Sequence, residues 1–458
     1  MSAAEDWVAA HEAEGLAMVE AFCRIPSVSA DPTYAAGIAR AAAFVADRLR
    51  EAGRPVVEQV ATGGHPAVLG EWIVDPAAPT VLIYGHYDVQ PPDPLEKWQS
   101  PPFEPEVRDG RLYARGVSDD KGPLSVAIWA LHAFHETAGR PPLNVKLLVE
   151  GEEESGSPHF APMVERLRER LTCDLVLSAD GAMWRADLPS VTVASRGLVA
   201  LDVTVTGAAK DLHSGRHGGS APNPIRALAA MLATLHDTEG RVTVPGFHDG
   251  VRPSDPKILD AIRAASFDPG DYLDSIGAPR PDPMPSGEEV LVRQWLEPTL
   301  EFNGISGGYA GQGTKTVIPS EASAKITCRL VAGQEPGQVA DAIEAQLRCV
   351  LPPGCRLAVT RHGPGSAAFA VDPDLPGLAL AEDVLEEVLG RRPLRVAMGA
   401  TIPIGEVLAR HLGAGTVFFS FSTADEDYHA PNEFFRLSSF RTGLRAWVRL
   451  LERLGREP

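Results

Sequence analysis

Five short segments of the chain carry histidine and carboxylate side chains at spacings suited to holding metal ions: His86-Tyr87-Asp88, Asp119-Asp120-Lys121-Gly122, Glu152-Glu153-Glu154-Ser155, Ala179-Asp180-Gly181 and Tyr428-His429. His86 and Asp88 stand two apart, so on a strand they point to the same side, and in a tight loop the carboxylate can accept the second ring N–H of a metal-bound imidazole. A single aspartate has two oxygens and can bridge two cations about 3.5–4 Å apart, which the Gly-flanked Asp119-Asp120 stretch would allow. Adjacent glutamates can divide labour, one holding metal and one taking a proton from a water that the cation has acidified. Asp180 and His429 are an acid and an imidazole at places where further ligands would sit, and one of Asp425, Glu426 and Asp427 can act behind His429. Together these residues read as a two-metal hydrolytic site.

Each segment also has an ordinary reading. H-x-D is a common capped turn, Asp119 or Asp120 can cap a helix N-terminus, and three consecutive glutamates usually form a solvated run. Placement favours the chemical reading. The apolar runs Pro79 to Tyr84, Asn144 to Val149, Asp174 to Ser178 and Gly415 to Phe421 have the length of fully buried strands, and each is followed by a polar cluster. In open α/β sheets ligands bind beyond the carboxyl ends of the strands, so distant segments can deliver their side chains to one crevice. Nitrogen and oxygen donors without thiolate suit zinc, manganese or cobalt. No G-x-S-x-G elbow, P-loop, H-E-x-x-H helix or dinucleotide-binding glycine fingerprint competes with this chemistry.

The 458 residues exceed one ordinary core and suit two or three domains, with 44% hydrophobic and 22% charged residues. Helical patterning at Ile38 to Ala52, Pro123 to Thr137 and Pro158 to Leu171, the last with Ser157 as N-cap, alternates with the strands and predicts a mainly parallel α/β sheet flanked by helices. After Gly197 the texture changes. Leu198 to Val205 and Ser323 to Val331 alternate apolar and polar residues, helices are predicted at Asn223 to Thr238 and Val339 to Cys349, and a strand at Arg356 to Arg361, which suits an antiparallel sheet covered by helices. His248 to Glu289 is rich in Pro, Asp and Gly and reads as an excursion with short helices. From Asp372 the chain returns to helices and the strand that delivers His429. The expected organisation is a catalytic domain in two parts, 1–196 and 368–458, with an α+β domain, 197–367, inserted between them.

A formal net charge of −19 argues against nucleic acid or an anionic membrane as partner. Met1 to Glu20 carries Glu5, Asp6, Glu12 and Glu14 and reads as a surface helix rather than a signal peptide, and no apolar run of roughly 20 residues is available to span a bilayer. Cys23, Cys173, Cys328, Cys349 and Cys355 are scattered and odd in number, which predicts free thiols in a reducing cytoplasm.

Three of these segments, Tyr84-Gly85-His86-Tyr87-Asp88-Val89-Gln90-Pro91, Ala114-Arg115-Gly116-Val117-Ser118-Asp119-Asp120-Lys121-Gly122 and Glu150-Gly151-Glu152-Glu153-Glu154-Ser155-Gly156-Ser157, resemble the dinuclear zinc exopeptidases. That family includes carnosinases, cytosolic nonspecific dipeptidase, aminoacylases, glutamate carboxypeptidases and succinyl-diaminopimelate desuccinylase. The resemblance spans essentially the whole chain in motif order, and Gly307 to Pro319 further resembles the dipeptidase branch. It implies that His86, Asp119 and Asp180 hold one metal and Asp119, Glu154 and His429 the other, with Asp119 bridging across a cis Asp119–Asp120 peptide bond. It makes Glu153 the general base of a dinuclear-metal-activated water and Asp88 the carboxylate that orients His86. The inserted domain would be a lid and dimerisation domain, with His213 acting across a homodimer on the substrate oxyanion and Arg329 binding the substrate carboxylate. His362, Asn303, Thr316 and Thr401 are lesser substrate contacts on the same ground. The implied activity is hydrolysis of dipeptides or short peptides. Where dipeptidase relatives place a glutamate before a Gly-Gly-Ser-Ile-Pro turn, this chain has Met398-Gly399-Ala400-Thr401-Ile402-Pro403. The loss of a partner for a free α-amino group keeps open an alternative, an amidohydrolase of N-acyl or N-carbamoyl amino acids.

Overall fold

The structure is a computed structural model that describes residues 1–53, 56–399 and 403–456. Chain contacts divide it into two compact units: Met1–Val193 with Val371–Val396 and Val407–Pro458, and Ala194–Ala370 with Ala397–Glu406.

The first unit is built on a six-stranded sheet in the order Val56–Val60, Ala67–Trp72, Asn144–Glu150, Thr80–His86, Leu175–Ser178, Gly415–Phe418. The first two strands are antiparallel to their neighbours and the other four run parallel. The parallel strands are the apolar runs of the sequence. Asn144–Glu150 and Leu175–Ser178 are buried at every position, as strands covered on both faces must be. Register aligns their carboxyl ends: His86 lies opposite Glu150, and Tyr84 and Phe418 both lie opposite Ser178. The polar clusters therefore leave the sheet from one edge.

Helices Ala35–Glu51, Gly122–Ala138, Phe160–Leu171, Pro376–Leu389 and Leu437–Leu454 cover this sheet. Two buried lysines bond carbonyls at helix ends. Lys121 donates from Nζ to the carbonyls of Phe22 (3.2 Å) and Ile25 (2.7 Å), and Lys146 donates to those of Arg170 and Thr172, both at 2.6 Å. Carbonyls at a helix C-terminus are favourable partners for a cation.

Some local expectations are corrected. The helix after the glutamate run starts at Phe160 with His159 at the cap and no side-chain cap bond. Ser157 is in the left-handed region (φ 48°), outside the extended backbone an N-cap takes, and its side chain is hydrogen-bonded to the Glu150 carboxyl, while its N–H closes the preceding turn onto the Glu152 carbonyl at 2.8 Å. The acidic N-terminal stretch is two helices, Ala3–Ala10 and Glu12–Cys23, broken at His11, and it buries Val8, Met18, Val19 and Phe22 instead of lying on the surface.

The second unit carries a four-stranded antiparallel sheet in the order Thr299–Gly307, Glu321–Leu330, Gly197–Thr206, Arg356–Arg361. Its alternating residues give one apolar face, where Leu201, Val203, Val205 and Ile326 pack with Leu228 and Ile343 of helices Pro224–Leu232 and Pro336–Cys349. The Pro-, Asp- and Gly-rich stretch holds short helices, Pro256–Ala264 and Pro269–Ser275, and Gly287–Trp295 follows. Among the described residues no helix is long and apolar enough to cross a membrane.

Candidate metal centre

His86 is the last residue of its strand and fully buried. Its Nδ1 donates to the backbone carbonyl of Asp88 at 3.1 Å, which leaves Nε2 facing Asp119 Oδ1 at 3.0 Å. The other oxygen of Asp119 faces the other imidazole, with Oδ2 3.1 Å from His429 Nε2, and that nitrogen is also 3.1 Å from Glu154 Oε2. Asp119 thus directs one oxygen to each histidine, as a bridging carboxylate must. Ligand atoms of His86, Asp119 and Asp180 lie within 4.8 Å of one another, and so do those of Asp119, Glu154 and His429. These two triads are the ones that the resemblance implies.

The donor set fits divalent cations. Ligand atoms bound at about 2.0–2.1 Å in tetrahedral array lie roughly 3.3 Å apart, close to the 3.0–3.1 Å separations found here. Four carboxylates, those of Asp119, Glu153, Glu154 and Asp180, crowd one buried site, and their repulsion is relieved by cations or by protons. Without metal, protons carry that burden. Burial raises Glu154 to about 7 and Asp180 to about 6, and lifts Glu153 well above the carboxylate range. Hydrogen bonds to Asp119 and Glu154 raise His429 to about 10. Burial opposes protonation of His86, but its bonds to Asp119 and Asp88 outweigh burial and raise it too.

A pH dependence follows, because a cation needs deprotonated ligands and displaces the protons these groups hold near neutrality. Affinity should rise with pH, and fall as pH drops through the range in which Glu154 and Asp180 also protonate. Calorimetric titration of metal into chelated protein in two buffers of different ionisation enthalpy reads the protons released. A proton count of zero would refute this ligand set.

The Asp88 carboxylate is 3.4 Å from His86 Nδ1 and is mainly engaged elsewhere, accepting the N–H groups of Glu153 at 3.2 Å and Glu154 at 3.0 Å. It therefore holds the glutamate turn as well as the histidine. The three glutamates separate by partner. Glu152 turns to His159 Nδ1 at 2.8 Å, Glu154 faces His429, and Glu153 belongs to neither triad. Asp120 accepts the His86 N–H at 3.2 Å instead of capping the next helix, and a Cβ on Gly85 would lie 2.6 Å from its Oδ2, so only glycine fits there. The Asp119–Asp120 bond is cis.

Other contacts escape the motif reading. Gln90 Nε2 donates to Glu154 Oε2 at 2.8 Å and to its carbonyl at 3.1 Å. Glu433 and Arg115 are buried together at 2.7 Å. Gln90 stands inside a segment that carries the family resemblance, and Glu433 follows His429 by four residues, so position was the signal available for each.

In the second unit, His213 is exposed and its Nδ1 accepts the Gly215 N–H at 3.0 Å, while Nε2 is 3.4 Å from Thr316 Oγ1. Arg329 is half-buried on the strand Glu321–Leu330, opposite Leu198. Asn303 is exposed in the irregularity between Phe302 and Gly304, and His362 Nε2 pairs with Asp202 at 3.0 Å. Met398 ends the strand Leu394–Met398, its carbonyl accepting the Arg196 N–H at 3.2 Å. Thr401 lies outside the described residues.

Residues 82–453 match the model of peptidase family M20/M25/M40. The chain belongs to that family. Within the M20/M25/M40 peptidases it is 31% identical to the Cys-Gly metallodipeptidase dug1 of Schizosaccharomyces pombe over 452 residues, 94% of this chain and 93% of the relative. It is 30% identical to the human Beta-Ala-His dipeptidase over 421 residues, 89% of this chain and 83% of the relative. These are relatives in the dipeptidase branch of the M20 peptidases. An M20-family metallo-carboxypeptidase of Sulfolobus solfataricus superposes with a TM-score of 0.87 at 28% identity, over 96% of this chain and 99% of that one.

Proposed function

We propose that this M20 peptidase is a metallodipeptidase that hydrolyses dipeptides or short peptides, with His86, Asp119 and Asp180 holding one cation and Asp119, Glu154 and His429 the other. The observation that carries the reading is Asp119, whose two oxygens face two different imidazoles at 3.0 and 3.1 Å. A bound pair of divalent cations, zinc in this reading or manganese or cobalt with the same donors, supplies positive charge that acidifies water and polarises an amide carbonyl.

The protein residues supply the rest. Glu153 takes a proton from the attacking water, whose oxygen bonds to the carbonyl carbon. The C–N bond then breaks, and the carboxyl of Glu153 returns the proton to the leaving amine, giving an amine and a carboxylic acid whose remaining proton passes to the amine, so that the products are an ammonium and a carboxylate. Burial suits Glu153 to this task by making its neutral form accessible. Asp88 holds the backbone of Glu153 and Glu154 in place. Residues 197–367 form an inserted lid and dimerisation domain in this reading, from which His213 reaches the oxyanion of a partner subunit in a homodimer. Arg329 takes the substrate carboxylate as a guanidinium fork, with His362, Asn303, Thr316 and Thr401 as further contacts. The cysteines are free, Cys23 and Cys328 among them buried, which supports the cytoplasmic reading.

Met398 favours one second reading, an amidohydrolase of N-acyl or N-carbamoyl amino acids, since thioether cannot pair a free α-amino group. Metal-reconstituted protein assayed on L-dipeptides beside matched N-acetyl and N-carbamoyl amino acids separates the two. Turnover of free dipeptides, abolished by chelation, is expected; turnover of the blocked substrates alone would move the assignment to the amidohydrolase.

A further inference from the structure

His429 sits in a turn whose backbone is left-handed at three non-glycine residues, Asp427 (φ 55°), His429 (φ 57°) and Asn432 (φ 68°). Such conformations persist where surrounding contacts over-determine them. Packing around the imidazole does not enclose the turn, because its side chain is 53% exposed. The opposite side of the centre is equally dependent on support: Asp119 has an extended backbone (φ −126°, ψ 91°) inside an otherwise helical segment, three residues after Gly116 at φ 76°.

One side chain fastens the two segments together. Glu433, four residues after His429, is 1% exposed. Its Oε2 accepts from Arg115 Nη1 and from the Gly116 N–H, both at 2.7 Å. Its Oε1 accepts the N–H groups of Ser118 at 2.9 Å and Asp119 at 3.1 Å. Its backbone carbonyl accepts the Ala114 N–H at 3.1 Å. The upstream end of the His429 turn is fastened to the same loop, because Glu426 accepts from the Ser118 hydroxyl while also taking the N–H groups of Thr423 and Arg436, each at 3.2 Å.

We propose that Glu433 is a positioning residue for the metal centre, setting the placement of Asp119 relative to His429 and thereby the affinity for the cation that those two residues share. This rests on the ligand reading given above. The side-chain chemistry is restrictive. Four donors converge on two oxygens, two on each, and only a carboxylate offers acceptors on both sides. Glutamine has the same shape but turns an NH2 group toward either the Arg115 and Gly116 donors or the Ser118 and Asp119 donors. Aspartate keeps the charge but draws the carboxylate back by one methylene. The competing account is that Glu433 is a buried ion pair serving stability alone, and metal affinity discriminates between the two.

The test compares wild type, Glu433→Gln and Lys146→Met after removal of metal by chelation. Lys146 caps a helix end and belongs to no part of the centre, so its loss serves as the control for general destabilisation. Zinc and manganese affinities are read by competition with a chromophoric chelator, folding by circular dichroism and thermal melting. E433Q is expected to be folded and to bind at least one of its two cations about 10–100-fold more weakly. Its kcat should recover with excess metal and its KM should change little, whereas K146M should bind metal as wild type does. Wild-type affinity in E433Q would overturn the proposal, as would an equal loss in K146M at the same melting temperature. Should E433Q not fold, Glu433→Asp reads the same affinities by the same criteria. A wild type that binds fewer than two cations would instead show the ligand reading to be wrong.

Discussion

Replacement of Glu153 by glutamine should lower kcat by about 10²–10⁴-fold, the usual contribution of a general acid–base group, and leave two cations bound. Glutamine keeps the size and polarity of the side chain but neither accepts the proton of the attacking water nor returns one to the leaving amine. The turn that presents it should survive, since the bonds that fix it run from the backbone N–H groups of Glu153 and Glu154 to Asp88. Glu153 is in neither triad of close ligand atoms. Metal analysis beside the kinetics therefore checks the role: inactivity with full metal content is the expected pair of results, and inactivity through metal loss would reassign Glu153 as a ligand.

The second large effect concerns His213, whose replacement by alanine should cut kcat by about 10²–10³-fold, the scale for removal of one oxyanion donor. The tautomer is set by a backbone contact. The Gly215 N–H points at Nδ1, so that nitrogen is the acceptor and the neutral ring carries its hydrogen on Nε2. A donor is thus available without protonation of the imidazole. Action across subunits is checked by mixing the variants. A dimer of one His213→Ala chain with one Glu153→Gln chain holds one intact combination, so random assortment should restore roughly a quarter of wild-type activity from two inactive preparations. A mixture as inactive as its components would place His213 in its own chain's reaction, and a fully active His213→Ala would place it outside the reaction.

The parallel strands were legible because burial on both faces demands unbroken apolar runs, and those runs locate the edge from which His86, Glu153, Glu154 and Asp180 emerge. The alternation in Leu198 to Val205 and Ser323 to Val331 was legible for the converse reason, one buried face and one open one. Local caps were less so. Ser157 has the composition of an N-cap, yet a left-handed turn closing onto Glu152 takes its backbone, a tertiary outcome that no window of sequence contains. The break at His11 belongs to the same class, because apolar spacing continues through it. Within the site, the types and order of the candidate ligands were readable, but the division of labour among Glu152, Glu153 and Glu154 was not readable from residue type. Three identical side chains are told apart only by what stands opposite: His159 for the first, His429 for the third. Glu433 and Gln90 were hidden for a related reason, since their partners are backbone groups and a side chain in other segments.

The sequence separation of 310 residues from Asp119 to His429 sets a timetable for the newborn chain. One triad, His86, Asp119 and Asp180, is complete in sequence before the second compact unit begins at Ala194, while the other waits for His429. At roughly 5–20 residues per second on the ribosome, tens of seconds separate the two. Throughout that interval the strand Leu175–Ser178 lacks its neighbour Gly415–Phe418 and stands as a bare, apolar margin open to other chains. The two groups of ligand atoms are thus completed at different times, and the strand that arrives just before His429 is also the one that covers Leu175–Ser178.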